Sequence, residues 1–232
     1  MGGLVLADYS RGDRPRPGRD ANEGCPVTIA TQTGDATTRA TGDRSQGVAL
    51  VLFGGLCGLA WAAGLRGFMA QIVHGESGVG WSGTFGYILL PGLVIGLLLG
   101  WAEHLRSTGG RRRWRWLALS PLLFTAVLFS QGLLGVLGIF EDGLGGGAIG
   151  VPLYAMAGAY AISRRGPRWG RIACGALALT AIPIWALTAE SFAGADLAVT
   201  TPRGLWVAIY YYSFLALFMV AAAIPHRPAS AR

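Results

Sequence analysis

The sequence contains no lysine and little charge of either sign. Only 13% of its 232 residues are charged, and all 19 basic residues are arginine. A soluble globular domain carries roughly 25% charged residues, so this composition excludes an ordinary water-soluble fold. The absence of lysine, together with abundant alanine and glycine, indicates GC-rich coding of the kind found in high-GC bacteria.

Cysteine is also scarce, which limits redox and metal chemistry. Cys25, Cys57 and Cys174 form no CxxC pair, and none has a histidine at metal-ligand spacing. The glycine run at 143–147 follows no strand, so it is neither a phosphate-binding nor a dinucleotide-binding loop. We therefore predict no disulfide, no metal site and no bound cofactor.

Residues 1–46 are polar and differ from the rest of the chain. Their six arginines balance six acidic residues, and few large apolar side chains are present. Such a segment cannot bury enough apolar surface to offset the entropy of an ordered chain. We predict a disordered cytoplasmic tail over 1–46, although a misassigned start codon would leave a similar leader.

Long apolar runs dominate the remainder of the chain. Six of them follow the tail, at 47–65, 84–102, 116–139, 148–163, 172–190 and 204–224. A transmembrane helix needs about 20 apolar residues, and a backbone in lipid must satisfy its own hydrogen bonds. The alternating pattern of barrel strands is absent. We therefore predict an all-α, multi-pass fold with six transmembrane helices over 47–226, and a short cytoplasmic tail over 227–232.

The arginines between the apolar blocks predict the orientation. Eleven of them lie in two connections and at the C-terminus: Arg106, Arg111, Arg112, Arg113, Arg115, Arg164, Arg165, Arg168, Arg171, Arg227 and Arg232. The other three connections contain only Arg66 and Arg203. Because arginine-rich short loops stay in the cytoplasm, both termini are predicted to be cytoplasmic, in the inner membrane of a bacterium. No nucleic-acid-binding motif accompanies the arginines, so no nucleic-acid partner is expected.

Tryptophan positions agree with this topology. The predicted inner helix ends carry Trp101, Trp114, Trp116 and Trp169, and the outer ends carry Trp61, Trp81, Trp185 and Trp206. Indole rings favour the membrane interface because they combine an apolar body with one polar N–H. One alternative concerns the first block, where residues 60–62 resemble a signal-peptide cleavage site. Cleavage there would remove one helix without reversing the others.

Glycines recur at four-residue spacing in the first two blocks. Gly54 and Gly58 share one face of the first helix, and Gly92, Gly96 and Gly100 share one face of the second. Faces of small residues let two membrane helices approach closely and pack by dispersion. We predict helix packing at these glycines, either within the chain or, as the alternative, along the seam of a homo-oligomer.

Solute transport is a weaker hypothesis. Pro91 and Pro183 interrupt the second and fifth helices, which would correspond to each other in an inverted repeat of the transporter kind. However, no ionisable residue lies at the middle of a predicted span, which disfavours proton-coupled transport. A neutral-solute route would be lined by Ser130, Gln131, Thr180 and Thr188. Such side chains more often bond to neighbouring backbone.

Ionisable residues gather instead at the two membrane faces. The outer set of weak catalytic candidates is Arg66, His74, Glu76, Glu141, Asp142 and Glu190. Repulsion between adjacent Glu141 and Asp142 favours protonation of one carboxyl, which would suit acid–base work on a lipid or isoprenoid-like substrate. Ordinary solvated loop charge explains the same residues.

At the inner face, a basic segment follows the second helix. Arg111, Arg112, Arg113 and Arg115 are candidates for contact with anionic lipid head groups. Glu103 is expected to pair with Arg106, three residues further along the same helix.

The leading functional interpretation is a non-catalytic membrane protein that acts through helix–helix assembly, as a homo-oligomer or with a membrane partner. Small-residue faces are abundant, and the sequence shows no catalytic constellation. The lipid-directed enzyme and the neutral-solute transporter are the alternatives.

Overall fold

The computed structural model describes residues 33–72, 78–109, 114–130 and 144–229. Within these ranges every regular element is helical and no strand occurs. This confirms the predicted all-α class. Residues 1–32, most of the first tail, lie outside the described ranges.

The first helix, α1, extends from Thr33 to Ile72. Its apolar part begins at Ser45 and has 28 residues, about 42 Å at 1.5 Å per residue, which exceeds the ~30 Å thickness of a bilayer core. Residues 33–46 were expected to be disordered and are helical instead. Extending an existing helix adds one hydrogen bond for each residue fixed, so the apolar segment can act as a nucleus for this polar extension.

The second span begins as a π-helix from Trp81 to Leu89 and continues as α2 from Leu90 to Ser107. The change occurs next to Pro91, which has no backbone N–H and whose ring clashes with the carbonyl four residues earlier in an α-helix. A wider i→i+5 turn before the proline relieves this clash.

The third apolar block departs from the predicted continuous helix over 116–139. It begins with a 3₁₀ helix from Trp114 to Leu119, turns at 120–121, and continues as α3 from Leu122 to Phe129. Pro121 accounts for the break, because a proline disfavours helical backbone at the residue before it. The segment 131–143 lies outside the described ranges.

The next helices are also shaped by proline. Helix α4 runs from Leu144 to Ile162 and contains Pro152. Helix α5 covers Arg168–Leu179 and α6 covers Ala181–Ala193, with a turn at Thr180 between them. The Leu179 carbonyl cannot receive an α-helical bond from Pro183, which explains the interruption. Internal proline is therefore not confined to the second and fifth blocks, which weakens the case for an inverted repeat.

The last span is α7, from Pro202 to Ala222, followed by a 3₁₀ turn from Ile224 to His226. Thr201 caps α7, since its hydroxyl accepts a hydrogen bond from the Gly204 N–H at 2.9 Å. A short 3₁₀ helix, Ala195–Leu197, precedes this cap.

Four helical segments of the described chain are long and apolar enough to cross a membrane. They are Ser45–Ile72, Trp81–Ser107, Arg168–Ser191 and Pro202–His226. A shorter apolar helix covers Gly147–Ile162. The structure thus supports a membrane-embedded helical protein.

An aromatic core holds α1, α6 and α7 together. The Phe68 ring on α1 lies 5.4 Å from Trp185 on α6 and 5.1 Å from Phe214 on α7, centroid to centroid. Trp185 stacks on Tyr211 at 4.9 Å, and Trp61 lies 4.5 Å from a further ring of α7. Trp61 and Trp185 therefore pack within the protein, although the sequence predicted them as interfacial anchors.

Contacts at the helix ends divide the connections into two groups. At one end, Arg203 donates a hydrogen bond to the Gln71 carbonyl at 3.2 Å. At the other end, Arg106 donates to the Pro228 carbonyl at 3.4 Å, and the 3₁₀ turn over 224–226 packs against the helix over 114–119.

Candidate functional site

The predicted glycine faces meet each other within one chain. A Cβ added to Gly54 would lie 2.5 Å from the Gly96 carbonyl oxygen and 2.8 Å from Gly100 Cα. A Cβ on Gly58 would lie 2.8 Å from Gly96 Cα, and the backbone at Gly92 is also in contact. Helices α1 and α2 are thus in backbone contact along what we call the glycine seam: Gly54, Gly58, Gly92, Gly96 and Gly100.

The contacts beyond the glycine seam define the direction of the two helices. Near the start of the apolar part of α1, the His104 ring packs over Gly47, where an added Cβ would lie 2.7 Å from it. Further along α1, the Ala62 side chain packs over Gly92. Earlier residues of α1 therefore meet later residues of α2, so the two helices form an antiparallel hairpin.

Two long-range hydrogen bonds fasten α1 to α7. Trp61 Nε1 donates to the Phe214 carbonyl at 2.8 Å, and the Tyr210 hydroxyl donates to the Gly64 carbonyl at 2.7 Å. The Phe214 carbonyl is free to accept a side-chain donor as well as its helical partner because a carbonyl oxygen has two lone pairs. These bonds position α1 between α2 and α7.

A cavity of about 510 Å³ opens beside Arg66, at the end of the molecule where α1 finishes and the second span begins. Its described lining consists of Arg66, Gly78, Val79, Gly80, Gly83, Thr84 and Ile88. Gly83 and Ile88 are five residues apart, the spacing of one π-helical hydrogen bond, so the π-helix presents both on one side. We call this space the Arg66 cavity.

The guanidinium is held in the wall of the Arg66 cavity. Arg66 Nε donates to the Thr84 hydroxyl at 3.4 Å, and Nη2 donates to the Gly78 carbonyl. Among the described residues that line the cavity, Arg66 alone carries a charge. The three glycines leave the space open, because a Cβ on Gly78, Gly80 or Gly83 would meet nothing within 4 Å.

The surface next to the cavity is apolar and exposed. Trp81 is 84% exposed and Val79 is 73% exposed. The Trp81 ring lies 5.0 Å from that of Phe85, one turn later. Of the four tryptophans predicted at outer helix ends, Trp81 and Trp206, the latter 64% exposed, have the exposed setting typical of an interfacial anchor.

Most of the predicted outer acid–base set falls outside the described residues. This applies to His74, Glu76, Glu141 and Asp142. Glu190 is described, lies exposed near the end of α6, and its carbonyl accepts a hydrogen bond from the Gly194 N–H at 2.9 Å. Arg66 is the member of the set that lines a cavity.

The face predicted to be cytoplasmic is described in part. Arg115 is exposed on the 3₁₀ helix that begins at Trp114, whereas 111–113 lie outside the described ranges. The predicted pairing of Glu103 with Arg106 is confirmed by two hydrogen bonds, at 2.8 and 2.6 Å.

Polar side chains on the helices bond mainly to their own backbone. The hydroxyls of Ser130, Thr180 and Thr188 each donate at 2.6 Å to a carbonyl three or four residues earlier. Gln131 lies outside the described ranges. No group of three or more His, Cys, Asp or Glu side chains that could hold a metal ion occurs among the described residues.

The Arg66 cavity and the aromatic core were not predicted from the sequence. For the core, a signal was present: Tyr210, Phe214 and Phe218 recur every four residues along one face of α7. For the cavity, the signal was the pair of glycines at Gly80 and Gly83 around exposed Trp81. Glycine so close to a helix start often marks close approach of a ligand or a second backbone.

Comparisons with known protein families, with curated proteins and with solved structures give no match for this chain.

Proposed function

We propose that this chain is a six-span inner-membrane protein of a high-GC bacterium that acts without chemistry of its own, by assembling with a second membrane-embedded chain. Residues 47–226 would form the membrane domain, with 1–46 and 227–232 in the cytoplasm. The second chain is another copy of this protein or a different membrane partner.

The distribution of arginine supports the orientation. Arg106 meets the C-terminal segment at one end of the molecule, whereas Arg203 meets the end of α1 at the opposite end. The first end contains the connections that are rich in arginine, which favours the cytoplasm for that side.

Orientation is tested by labelling single cysteines in a variant that lacks Cys25, Cys57 and Cys174. Arg168→Cys and Asp196→Cys form a matched pair, since both side chains are exposed and lie in connections of opposite predicted side. A membrane-impermeant thiol reagent added to intact cells should label residue 196 and not residue 168. Labelling of residue 168 alone would overturn the topology.

The observation that carries the assembly proposal is the bare helix formed by α5 and α6. Only 11% of the most apolar part of Arg168–Ser191 is buried, as little as for Ser45–Ile72, where the glycine seam already packs on α2. Apolar side chains emerge on all sides of it: Ile172, Leu177, Leu179, Ile182, Ile184 and Leu187. Ala173 and Ala176 are exposed between them, and small residues allow another helix to approach closely.

The glycine seam cannot serve this assembly, since its members already contact each other within the chain. A partner must therefore use another face. Lipid can cover a bare apolar helix as well as protein can, so the composition of the extracted particle decides between them.

Native mass spectrometry of protein extracted in mild detergent tests the proposal. We expect a discrete oligomer or a stoichiometric protein partner, and we expect Ala176→Trp to dissociate it. Ala216→Trp is the matched control, because Ala216 is also an exposed alanine but lies on α7, which is better covered. A monomer without a partner that retains the protein's cellular function alone would overturn the proposal.

A second candidate is an interfacial enzyme on a lipid or isoprenoid-like substrate, and the Arg66 cavity favours it. This hypothesis predicts that Glu141→Gln or Asp142→Asn abolishes function while the protein stays folded. If both variants keep full function, the enzyme hypothesis is wrong.

No comparable observation favours the neutral-solute transporter hypothesis. Pro91 is buried on α2, whereas Pro183 is exposed on α6, and the described hydroxyls proposed for its lining bond to their own helices.

A further inference from the structure

The connection between α4 and α5 contains an arginine whose side chain has no partner among the described residues. Arg165 is partly buried, and its Nη1 atom is sealed from solvent without a hydrogen-bond acceptor. Its Nε and Nη2 atoms reach the surface and donate to no described residue either. Burying part of a guanidinium without an acceptor is costly, and in native proteins such an atom often belongs to a site for water or an ion.

The backbone on either side fixes the position of Arg165. The Ser163 hydroxyl accepts a hydrogen bond from the Arg165 N–H at 3.3 Å and donates one to the Tyr160 carbonyl at 2.7 Å. Arg164 has φ of +56° and Gly166 has φ of +80°. The left-handed conformation is unfavourable for an arginine, and non-glycine residues keep it only where the surrounding structure holds them, often at functional sites. The connection is therefore a fixed turn.

Tyr160, in the last turn of α4, packs against this turn. A Cβ added to Gly166 would collide with the Tyr160 hydroxyl, and one added to Gly170 would lie 3.6 Å from the ring. The Tyr160 ring also meets the His226 ring edge to face, with centroids 6.1 Å apart. Neither the hydroxyl nor the imidazole has a hydrogen-bond partner among the described residues. Two further donors thus lie beside the turn that carries Arg165.

The electrostatics at this end of the molecule favour an anion. Arg165 and Arg115 both lie within electrostatic range of the His226 imidazole, and the 3₁₀ turn over 224–226 packs against the helix over 114–119. Glu103, on the neighbouring helix α2, is already paired with Arg106. Positive groups gathered in this way raise the local concentration of anions.

A phosphate group suits these donors better than a carboxylate does. A guanidinium can hold two oxygens of either group in bidentate fashion, so Arg165 alone does not distinguish them. A phosphate has a further oxygen for the Tyr160 hydroxyl and the His226 ring. The position also suits a lipid phosphate, because His226 ends one apolar span and Arg168 begins another, and the ends of spans lie at the level of the head groups.

We propose that Arg165, Tyr160 and His226 bind a phosphate group, either that of an anionic phospholipid or that of a soluble phosphate compound. Arg165 holds two phosphate oxygens through Nε and Nη2, and the anion compensates the charge of the whole guanidinium. Tyr160 and His226 donate to a third oxygen, and Arg115 adds attraction at longer range. The site does not use the apolar side chains of α5 and α6 proposed for assembly, so the inference holds whether the protein works as an oligomer or alone.

Two substitutions and a control separate this site from the general basic character of the same end. Arg165→Gln removes the charge, and Arg168→Gln is the matched control because Arg168 is an exposed arginine next to the same turn. Tyr160→Phe removes the hydroxyl and keeps the ring that packs against the turn. Since no described residue bonds to the Arg165 guanidinium, Arg165→Gln should not lower the unfolding midpoint in phosphate-free buffer.

The experiment follows thermal unfolding of the full-length protein in mild detergent by circular dichroism. Inorganic phosphate is compared with chloride at equal ionic strength, and phosphatidylglycerol is compared with diacylglycerol of the same acyl chains. A ligand that binds the folded state raises the midpoint as its concentration rises. We expect this for at least one of the two phosphate probes. The concentration needed should increase about tenfold in Arg165→Gln and about threefold in Tyr160→Phe, and stay unchanged in Arg168→Gln.

The two probes identify the source of the phosphate. A response to phosphatidylglycerol alone supports a lipid head group, and a response to inorganic phosphate alone or to both supports a site for which the phosphate suffices. The proposal is wrong if neither probe raises the midpoint, or if Arg165→Gln and Arg168→Gln weaken the response equally, which would indicate diffuse attraction of anions. It is also wrong if Arg165→Gln lowers the midpoint without phosphate, because Arg165 would then have a structural role.

Discussion

Replacing Gly54 by alanine tests whether the α1–α2 hairpin depends on direct backbone contact. The added Cβ would lie 2.5 Å from the Gly96 carbonyl oxygen and 2.8 Å from Gly100 Cα. Carbon atoms in contact prefer a separation of about 3.5–4.0 Å. Because the opposing atoms belong to the backbone, no side chain can rotate away, and the two helices must separate by about 1 Å.

The energetic cost follows from that separation. A gap of about 0.5–1 Å forfeits roughly a quarter to a half of the dispersion energy at each contact, and overpacking of this kind costs about 1–3 kcal/mol. Alanine recovers up to roughly 1 kcal/mol through its higher helix propensity. We therefore expect Gly54→Ala to lower the free energy of unfolding by about 1–2 kcal/mol, a factor of roughly 5–30 in the folded-to-unfolded ratio.

The assay is unfolding in mixed micelles of mild detergent and increasing SDS, followed by loss of helical circular dichroism. Gly64→Ala is the control on the same helix, because its Cβ would lie 3.5 Å from the Tyr210 hydroxyl, an ordinary contact. Equal unfolding midpoints for the two variants would refute the reasoning. Dissociation of an oligomer with unchanged protomer stability would instead mean that the glycine seam joins two chains.

Two further substitutions probe other contacts. Gly166→Ala should destabilise the protein by about 2 kcal/mol, because φ is +80° there and the Cβ would collide with the Tyr160 hydroxyl. The same unfolding assay measures this loss. Gly175→Ala is the control, because its Cβ would make an ordinary contact at 3.6 Å. Trp61→Phe should cost about 1 kcal/mol through loss of the 2.8 Å hydrogen bond to the Phe214 carbonyl, and an unfolding midpoint equal to that of the native protein would contradict this.

The helical class could be predicted from the sequence because it follows from composition and block length alone. Four of the six predicted blocks correspond to long apolar helices in the structure, and a fifth to the shorter helix over Gly147–Ile162. The bilayer imposes this outcome, since a long apolar segment in lipid has few ways other than a helix to satisfy its backbone. Local sequence therefore decided the secondary structure at these positions.

Helix interruptions were harder to predict. Hydropathy is continuous across Ser120, Pro121 and Thr180, whereas the backbone is not. The cause is the missing N–H of a proline and its steric effect on neighbouring residues. The result differs from site to site: a proline can end a helix, can widen it to a π-helix as before Pro91, or can be accommodated within a continuous helix as in α4. Which result occurs depends on what packs around the proline.

The Arg66 cavity could not be predicted because none of its properties is periodic. It arises where the end of one helix, an extended glycine-rich stretch and a π-helical turn come together. The sequence marked Arg66 only as an outer-face charge. Its relation to Thr84 and Gly78 depends on the reversal of the chain after α1, and a pattern along one helix contains no information about that reversal.

The glycine seam is a second feature that the pattern along one helix could not fully predict. Four-residue spacing identified the correct face on each helix, yet it fits an intramolecular or an intermolecular partner equally well, because both need close backbone approach. The connection between α1 and the second span favours the intramolecular pairing, since a short loop makes consecutive helices antiparallel neighbours at little entropic cost. A second chain would have to displace a partner that is already attached. Assembly surfaces in this protein should therefore be sought away from the glycine seam, on α5 and α6 or on the face of α1 opposite the seam, since only 11% of the most apolar part of each of these two spans is buried.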